Sequence, residues 1–542
     1  MSILATRFAG SKAVLVELSD LDSVLALAAL LSANPLPGQI DVLAAASTLF
    51  IKADSTASAE KIATAVLAME LCAAGSNTGS LVEIPVHYDG EDLAEVAGLT
   101  GLSIEAVINA HTQQIWRAAF GGFAPGFAYL MGENQLLNVP RRSTPRKVVP
   151  SGAVALAGNS SAVYPRQSPG GWQLIGHTDA VLWDLDREKP ALIRPQDRVR
   201  FVPSREALQV SPVPAKTNVP VVPDGTTLLE ILDPGPQSLI QDLGRPGLGD
   251  LGVSAAGSAD TRSAAQANRL VGNAPQCAVI ENLMGSLSLR AQSDVVLAVS
   301  GASATITVEP VDGDDFHGAR ELSMDTPFAL LDGETLRLTP AGNGLRSYLA
   351  VRGGIDVPRV LGSRSTDSMS GIGPDPLARG TKLPVGAIHG AHIVGNPESS
   401  TLPVPDAQGI YTLRISPGPR DDWFDASGLA RLTGQIWSVS AEFNRVGIRL
   451  ALGANATALE RTLTGELASE GVAAGALQVP PSGLPVLFLA DHPVTGGYPV
   501  IAGVIAEDLP AAAQLPPGAA IRFVLTDLHA PIQARPDEGI HA

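Results

Sequence analysis

Glycine and proline interrupt this chain so often, at 55 and 42 of 542 residues, that few stretches can hold a long helix. Between the breakers lie short apolar runs, the pattern of strands joined by tight turns. The chain therefore reads as mainly β, with a smaller α+β part. Its length corresponds to about three or four domains.

The α+β part is the N-terminal lobe, residues 1–88. A strand at Ala13–Leu18 precedes a helix that Ser19 or Asp20 can cap and that runs to Ala33. Strands at Ile40–Ala45 and Thr48–Lys52, a helix opened by Asp54 or Ser55 and stopped by Gly75, and a strand at Leu81–Tyr88 complete the order β-α-β-β-α-β. That order is the ferredoxin-like pattern. Two short helices, Asp92–Ala97 and Ser103–Ala110, open the second unit, 89–205, whose short strands suggest a small barrel or sandwich. Residues 206–227 are rich in proline and read as a linker. Further β-rich units span 228–396, with one helix near Thr261–Val271, and 410–530. An internal echo links the second and last units: Pro150-Ser151-Gly152 followed by Gly170-Gly171-Trp172, and Pro481-Ser482-Gly483 followed by Gly496-Gly497-Tyr498. It points to a repeated barrel.

A net charge of −17 argues against nucleic acid or an anionic membrane as partner. Two cysteines, Cys72 and Cys277, exclude a disulfide framework and suit a reducing compartment. The most apolar window, Val24–Leu31, is too short to span a bilayer, so a cytoplasmic location is expected. No Walker loop, Rossmann fingerprint, nucleophile elbow or His-Glu-x-x-His occurs. His389 and His392 lie three apart in a strand or turn, a poor metal pair, and no metal site is expected.

Chemistry must then come from polar residues on glycine-rich turns. Phe120–Leu130 packs three phenylalanines, a tyrosine and three glycines together, including Phe123, Pro125 and Gly126. It is either a shaped pocket wall or a turn that anchors two strands. Arg245, Arg364 and Arg445 sit near glycines, where an arginine either forks onto an anion or pins a loop. Asp260 stands where it either caps the helix after it or serves catalysis. Asp491-His492 is the candidate acid–base couple.

These motifs taken together resemble a known family. His111-Thr112, Phe120–Leu130, Pro140-Arg141-Arg142-x-Thr144-Pro145-Arg146 and Ser168–Gly176 resemble allophanate hydrolase subunit 1. Leu232–Gly235, Gln241–Gly247, Gly252–Asp260, Ala267–Asn273, Tyr348–Thr366 and Glu470–Pro510 resemble subunit 2 of the same family. The chain is thus similar to a fusion of the two, joined within Pro203–Thr227. The resemblance implies cyclophilin-like β-barrels after the ferredoxin-like lobe. It also implies the B and C components of 5-oxoprolinase, which with a separate 5-oxoprolinase A component hydrolyse 5-oxoproline to glutamate using ATP as co-substrate. The same domains resemble the carboxyltransferase part of urea carboxylase, which acts with a biotin carrier, and a kinase inhibitor with its antagonist. No Met-Lys-Met biotin site is present on this chain.

By motif position, the resemblance marks His111, Asp260, Asp491 and His492 as catalytic. Phe123, Pro125, Gly126, Arg146, Gly170, Gly171, Gln173, Arg245, Arg364, Asn444, Arg445, Gly496 and Gly497 are marked as binding a small lactam or amide. Residues from both halves are expected to meet in one site, with Phe120–Leu130 and Gly170–Ile175 facing one cleft. Asp250, Ala255-Ala256 and Phe443-Asn444 depart from the pattern of the family's second part, which leaves the substrate open. Homo-oligomerisation is also left open.

Overall fold

The computed structural model describes residues 2–71, 79–204, 228–311, 318–388, 393–463, 465 and 467–528. The linker 206–227 and the pair His389 and His392 lie outside the described residues.

In the lobe, Ala13–Leu18, Gln39–Ala44 and Thr48–Ala53 pair as expected, with helices Leu21–Ala33 and Thr56–Leu67 over one face. Asp20 caps the first helix by accepting from the Ser23 N–H, and Ser55 caps the second by accepting from Ser58. The second helix ends at Leu67, short of Gly75, because the Ala68 and Met69 N–H groups turn back to Ala65 and Val66. The fourth strand of the sheet is Ile3–Phe8, beside Ala13–Leu18, and not the predicted Leu81–Tyr88. Leu81–Val86 instead crosses to the next unit and pairs in parallel with Arg198–Pro203, burying Ile84 and Val86 in that core. The ferredoxin-like layout is kept, with the N-terminal strand in the place of the last one.

The second unit is a seven-strand sheet in the order Gln173–His177, Ala153–Ala157, Ser160–Val163, Ala128–Met131, Trp116–Gly121, Arg198–Pro203, Leu81–Val86. His87 and His177 exchange N–H···O bonds of 2.8 Å across its two edges and close it into a barrel. The last unit is a closed barrel of Val500–Val504, Ala476–Gln478, Val486–Phe488, Gly447–Leu452, Trp437–Phe443, Ala520–Leu525 and Ile410–Pro417. The two orders agree strand for strand. Each barrel adds a two-strand ribbon, Arg146–Val149 with Ser168–Gly170 in one and Glu470–Gly471 with Thr495–Gly496 in the other. Each also buries a tryptophan just after a helix: Trp116 donates to the His111 carbonyl at 2.9 Å, and Trp437 to that of Leu432 at 3.0 Å.

The echo is thus a real duplication, but matching the two sequences aligns only half of it correctly. The two Gly-Gly-aromatic steps are equivalent. Pro150–Gly152, however, precedes the strand Ala153–Ala157, whereas Pro480–Gly483 follows the equivalent strand Ala476–Gln478. The true counterpart of Gly152 (φ 80°) is Gly475 (φ 87°), and their N–H groups bond the matching carbonyls of Tyr164 and Phe488.

Between the barrels lie a six-strand and a five-strand sheet sharing one core, which includes Ile231, Ile280, Leu289 and Leu349. Among the described residues no single helix is long and apolar enough to cross a membrane.

Candidate functional site

The two halves meet where the barrels present equivalent turns to one segment of the middle unit, Leu248–Asp260. On the first barrel this segment covers the turn of Phe120–Leu130. The Gly126 N–H donates to the Leu251 carbonyl at 3.2 Å, and a Cβ on Gly121 would stand 2.2 Å from the Asp250 carbonyl oxygen. On the last barrel, Arg445 in the equivalent turn donates to the Gly257 carbonyl. Midway, Ser254 Oγ donates to Ala490 O at 3.1 Å. Gly121 is therefore required by close backbone approach between the halves, whereas a Cβ on Gly122 would meet the Thr495 side chain and one on Gly126 the first half's own Leu182 carbonyl.

Phe123 has φ 62°, and the Ala124 N–H reaches back to the Gly122 carbonyl at 2.6 Å, which makes a γ-turn of the rare left-handed kind. Thr495 Oγ1 of the last barrel accepts from the Phe123 N–H at 3.0 Å and helps fix it. Pro125 is buried in the same turn. The rings do adjoin the second predicted stretch, with Phe127 and Tyr129 at 5.7 and 5.6 Å from Trp172. They are buried against one another and serve as an anchor, not as an open cleft wall.

Asp491 and Arg445, both named from the sequence, do meet. Arg445 Nε and Nη2 hold the Asp491 carboxylate at 2.9 and 2.8 Å, and Ser368 adds its N–H and hydroxyl at 2.9 and 2.6 Å. Burial would raise the Asp491 carboxyl, but Arg445 and Ser368 outweigh it and hold it below the usual range. Arg445 Nη1 also reaches Glu281, whose other oxygen accepts from Tyr348 at 2.8 Å. The Asp260 N–H donates to the Tyr348 oxygen at 2.8 Å. Apart from the exposed Ser368 at its edge, this network is buried, and it joins the middle unit to the last barrel.

The other expected site residues have protein partners of their own. Arg445 is a strut whose donors face protein acceptors. Asp260 caps Thr261–Leu270, accepting from Arg262 and Ser263 N–H and from Gln514 Nε2. His111 lies in the first barrel's core, away from the seam. Its Nδ1 pairs with Tyr88 Oη at 2.6 Å, its Nε2 with Ser161 Oγ at 2.9 Å, and its ring stacks 4.2 Å from Phe201. Arg364 pins its own loop through Asp356 and the Val357 carbonyl. Asn444 closes a turn by accepting from the Val446 and Gly447 N–H groups. Arg146 binds Asp92 at 2.7 Å and Glu91 at 3.1 Å.

Gln173 donates to Pro140 O at 3.3 Å. Gly171 accepts from the Arg142 N–H, and Gly170 lies against the Tyr164 ring. Gly496 lies against Gln478, and Gly497 follows it in the matching step of the last barrel. His492 stacks on Phe488 with its Nδ1 at 2.8 Å from Pro493 O, and burial lowers it to about 4, so it is neutral near pH 7.

What remains open is a group of polar atoms around Ser365–Asp367. Arg245 Nη2 donates to the Ser365 carbonyl and Gln241 Nε2 to that of Thr366 at 2.9 Å. Yet Arg245 Nη1, Gln241 Oε1 and the Asp367 Oδ2 next in line are buried without a hydrogen-bond partner. So is Nε of Arg166, which comes from the first half. Asp367 is the charge that acts on Arg166, and the foremost of those acting on Arg245. Burial raises the Asp367 carboxyl, with Asp491 nearby adding to the effect. Arg245 is thus an expected site residue that keeps a free donor, and Arg146 keeps one at Nη1. Arg166 and Asp367 were missed, and Gln241 was noted only as part of the Gln241–Gly247 motif. Asp367 lies one residue beyond the Tyr348–Thr366 motif, and nothing in the sequence marks it as a site residue.

Residues 4–193 match the family model for the carboxyltransferase domain, subdomains C and D, and residues 251–525 match that for subdomains A and B. The chain belongs to the carboxyltransferase-domain family. It is 35% identical to the C component of 5-oxoprolinase from Escherichia coli K12 over 320 residues, 57% of this chain and 95% of that protein. It is 48% identical to the B component from Escherichia coli O157:H7 over 130 residues, 23% of this chain and 60% of that protein. Urea amidolyase of Saccharomyces cerevisiae is 28% identical over 318 residues, 55% of this chain but only 16% of that protein. The crystal structure of TTHA0988 in space group P6522 superposes with a TM-score of 0.81 at 35% identity, covering 95% of this chain and all of that one. The family is thus one whose separate relatives are the B and C components of 5-oxoprolinase.

Proposed function

We propose that the chain carries, as one polypeptide, the B and C components of an ATP-dependent 5-oxoprolinase, and that it hydrolyses 5-oxoproline to glutamate together with a separate A component. The observation that carries this reading is the presence on one chain of regions similar to both proteins. Their join supports it, because a single middle segment spans the equivalent turns of both barrels. Fusion also keeps the two components at high effective concentration.

The lactam is a resonance-stabilised amide and a poor electrophile. ATP as co-substrate would activate it by phosphorylating its oxygen, and guanidinium groups within the seam suit the resulting anion. Arg245 and Arg166 have donors free for that role, as do Arg142 and Arg146 of the first barrel. A coupled assay for glutamate, with and without the A component, tests the reading: turnover is expected only in the mixture with ATP.

The match to urea amidolyase and the carboxyltransferase-domain models favour one alternative, carboxyl transfer to a urea-like amide from a separate biotin carrier. That reading requires bicarbonate and is blocked by avidin, whereas lactam hydrolysis needs neither and resists avidin.

A further inference from the structure

We propose that Asp367 and Arg245 form a recognition edge for a cis amide, with the Asp367 carboxylate accepting the ligand's N–H and Arg245 Nη1 donating to its carbonyl oxygen. This deepens the 5-oxoprolinase reading and rests on it for the choice of lactam.

Three side chains bracket three consecutive backbone positions. Arg245 is tied to Ser365 and Gln241 to Thr366, so both heads are fixed, and Asp367 follows directly. Asp367 Oδ1 is engaged by the Met369 and Ser370 N–H groups at 3.0 Å each. That leaves Oδ2 as its open acceptor, with the Ser370 hydroxyl as the side-chain donor acting on this carboxyl, and Nη1 as the free donor of Arg245, both on residues almost wholly buried. A buried polar atom without a partner is costly, and this seam keeps a donor and an acceptor of opposite charge in that condition. A ligand that satisfies both at once presents a donor beside a carbonyl oxygen, and the N–H of a cis amide is such a donor.

A ring lactam does so because its amide is held cis, and a urea does so with either nitrogen. A trans secondary amide, the form of nearly every peptide bond, points the two groups to opposite sides and cannot. The edge therefore selects lactams and ureas and rejects linear peptides. Arg166 Nε, contributed by the other half, stands ready for the carboxylate that 5-oxoproline carries and urea lacks. Entry is by the turn after Asp367, where Ser368 and Gly371 are exposed.

The test is calorimetric titration of the full chain, alone and with the A component, using 5-oxoproline, its N-methyl analogue and urea as probes. The wild-type chain should bind 5-oxoproline at least roughly tenfold more tightly than the N-methyl compound, which has no N–H to give. In Asp367→Ala that preference should vanish, and in Arg245→Gln affinity for both lactams should fall. The melting temperature of each variant reports folding, and the wild-type comparison needs no variant. Equal binding of both lactams by the wild type, or a preference that survives in Asp367→Ala, overturns the proposal even if glutamate is formed with the A component. Selective binding without glutamate formation upholds the edge and removes the hydrolase reading. Absence of lactam binding in both settings overturns the edge, whatever the turnover.

Discussion

Asp92 and Arg420 occupy the same position in two equivalent barrels, each just ahead of the barrel's first helix and each bonded through its N–H to the matching strand, at Leu174 O and Val500 O. Their ionic partners are equivalent too. Asp92 takes Arg146 at 2.7 Å, and Arg420 takes Glu470 at 2.9 Å. The duplication kept the ion pair and exchanged its signs, so either polarity serves as the strut.

Arg420 has a second task, because it also reaches Glu17 on the N-terminal lobe. Arg420→Gln leaves the buried Glu470 without its cation, while Glu17 keeps only Arg7. A loss of about 3–5 kcal/mol in urea unfolding is expected, as for other broken buried pairs. Glu470→Gln in the Arg420→Gln background should recover part of it, since the uncompensated charge is then gone. No recovery would show that the packing of the arginine stem, and not the ion pair, holds the lobe.

Arg445 gives a contrasting case. The sequence alone suggests a ligand-binding arginine, for which Arg445→Lys would spare stability and cut turnover. The structure predicts the reverse order of effects. A lysine cannot hold both Asp491 oxygens, Glu281 and the Gly257 carbonyl at once, so Arg445→Lys should lower the melting temperature clearly. Loss of turnover should follow only in proportion to the folded fraction, which circular dichroism and activity measured on the same sample will show.

The pattern of these outcomes says what a sequence makes legible. Helix starts at Asp20, Ser55 and Ser103 were readable because capping is local chemistry. The departure of Leu81–Val86 to the barrel was not, since strand partners are set by distant residues and its alternation fits either sheet. At the site, Asp491 and Arg445 were found as motif residues, but whether an arginine faces a ligand or a carboxylate depends on Glu281, far away in sequence. Asp367 and Arg166 carry no motif. Only the three-dimensional count of unpaired donors and acceptors picks them out.

His111 offers a pH test. Burial alone lowers it from 6.5 to about 3. The native imidazole is therefore neutral, while the unfolded one takes up a proton below about pH 6.5. Its contribution is fully present above that pH. It is lost as pH falls from about 6.5 to about 3, at up to about 1.4 kcal/mol per pH unit. His111→Gln should be less stable at pH 7.5, through lost stacking on Phe201, yet lose less of its melting temperature between pH 7.5 and 5 than the wild type. Equal acid sensitivity in the two proteins would mean that His111 is not held neutral.

The seam between the halves can be tested with two glycines of opposite expectation. A Cβ at Gly121 would stand 2.2 Å from the backbone oxygen of Asp250, and neither main chain can yield without parting the halves. Gly121→Ala should therefore lower the melting temperature by several degrees. It should also reduce glutamate formation with the A component at least roughly tenfold, because a displacement of about 1 Å in a shared site costs on that order. Gly98 lies in the helix Leu93–Thr100 with nothing within 4 Å of its would-be Cβ. Gly98→Ala should instead stabilise the chain by about 0.5–1 kcal/mol through helix propensity and leave turnover unchanged. If Gly121→Ala melts lower but turns over normally, the seam holds the halves together without forming part of the site.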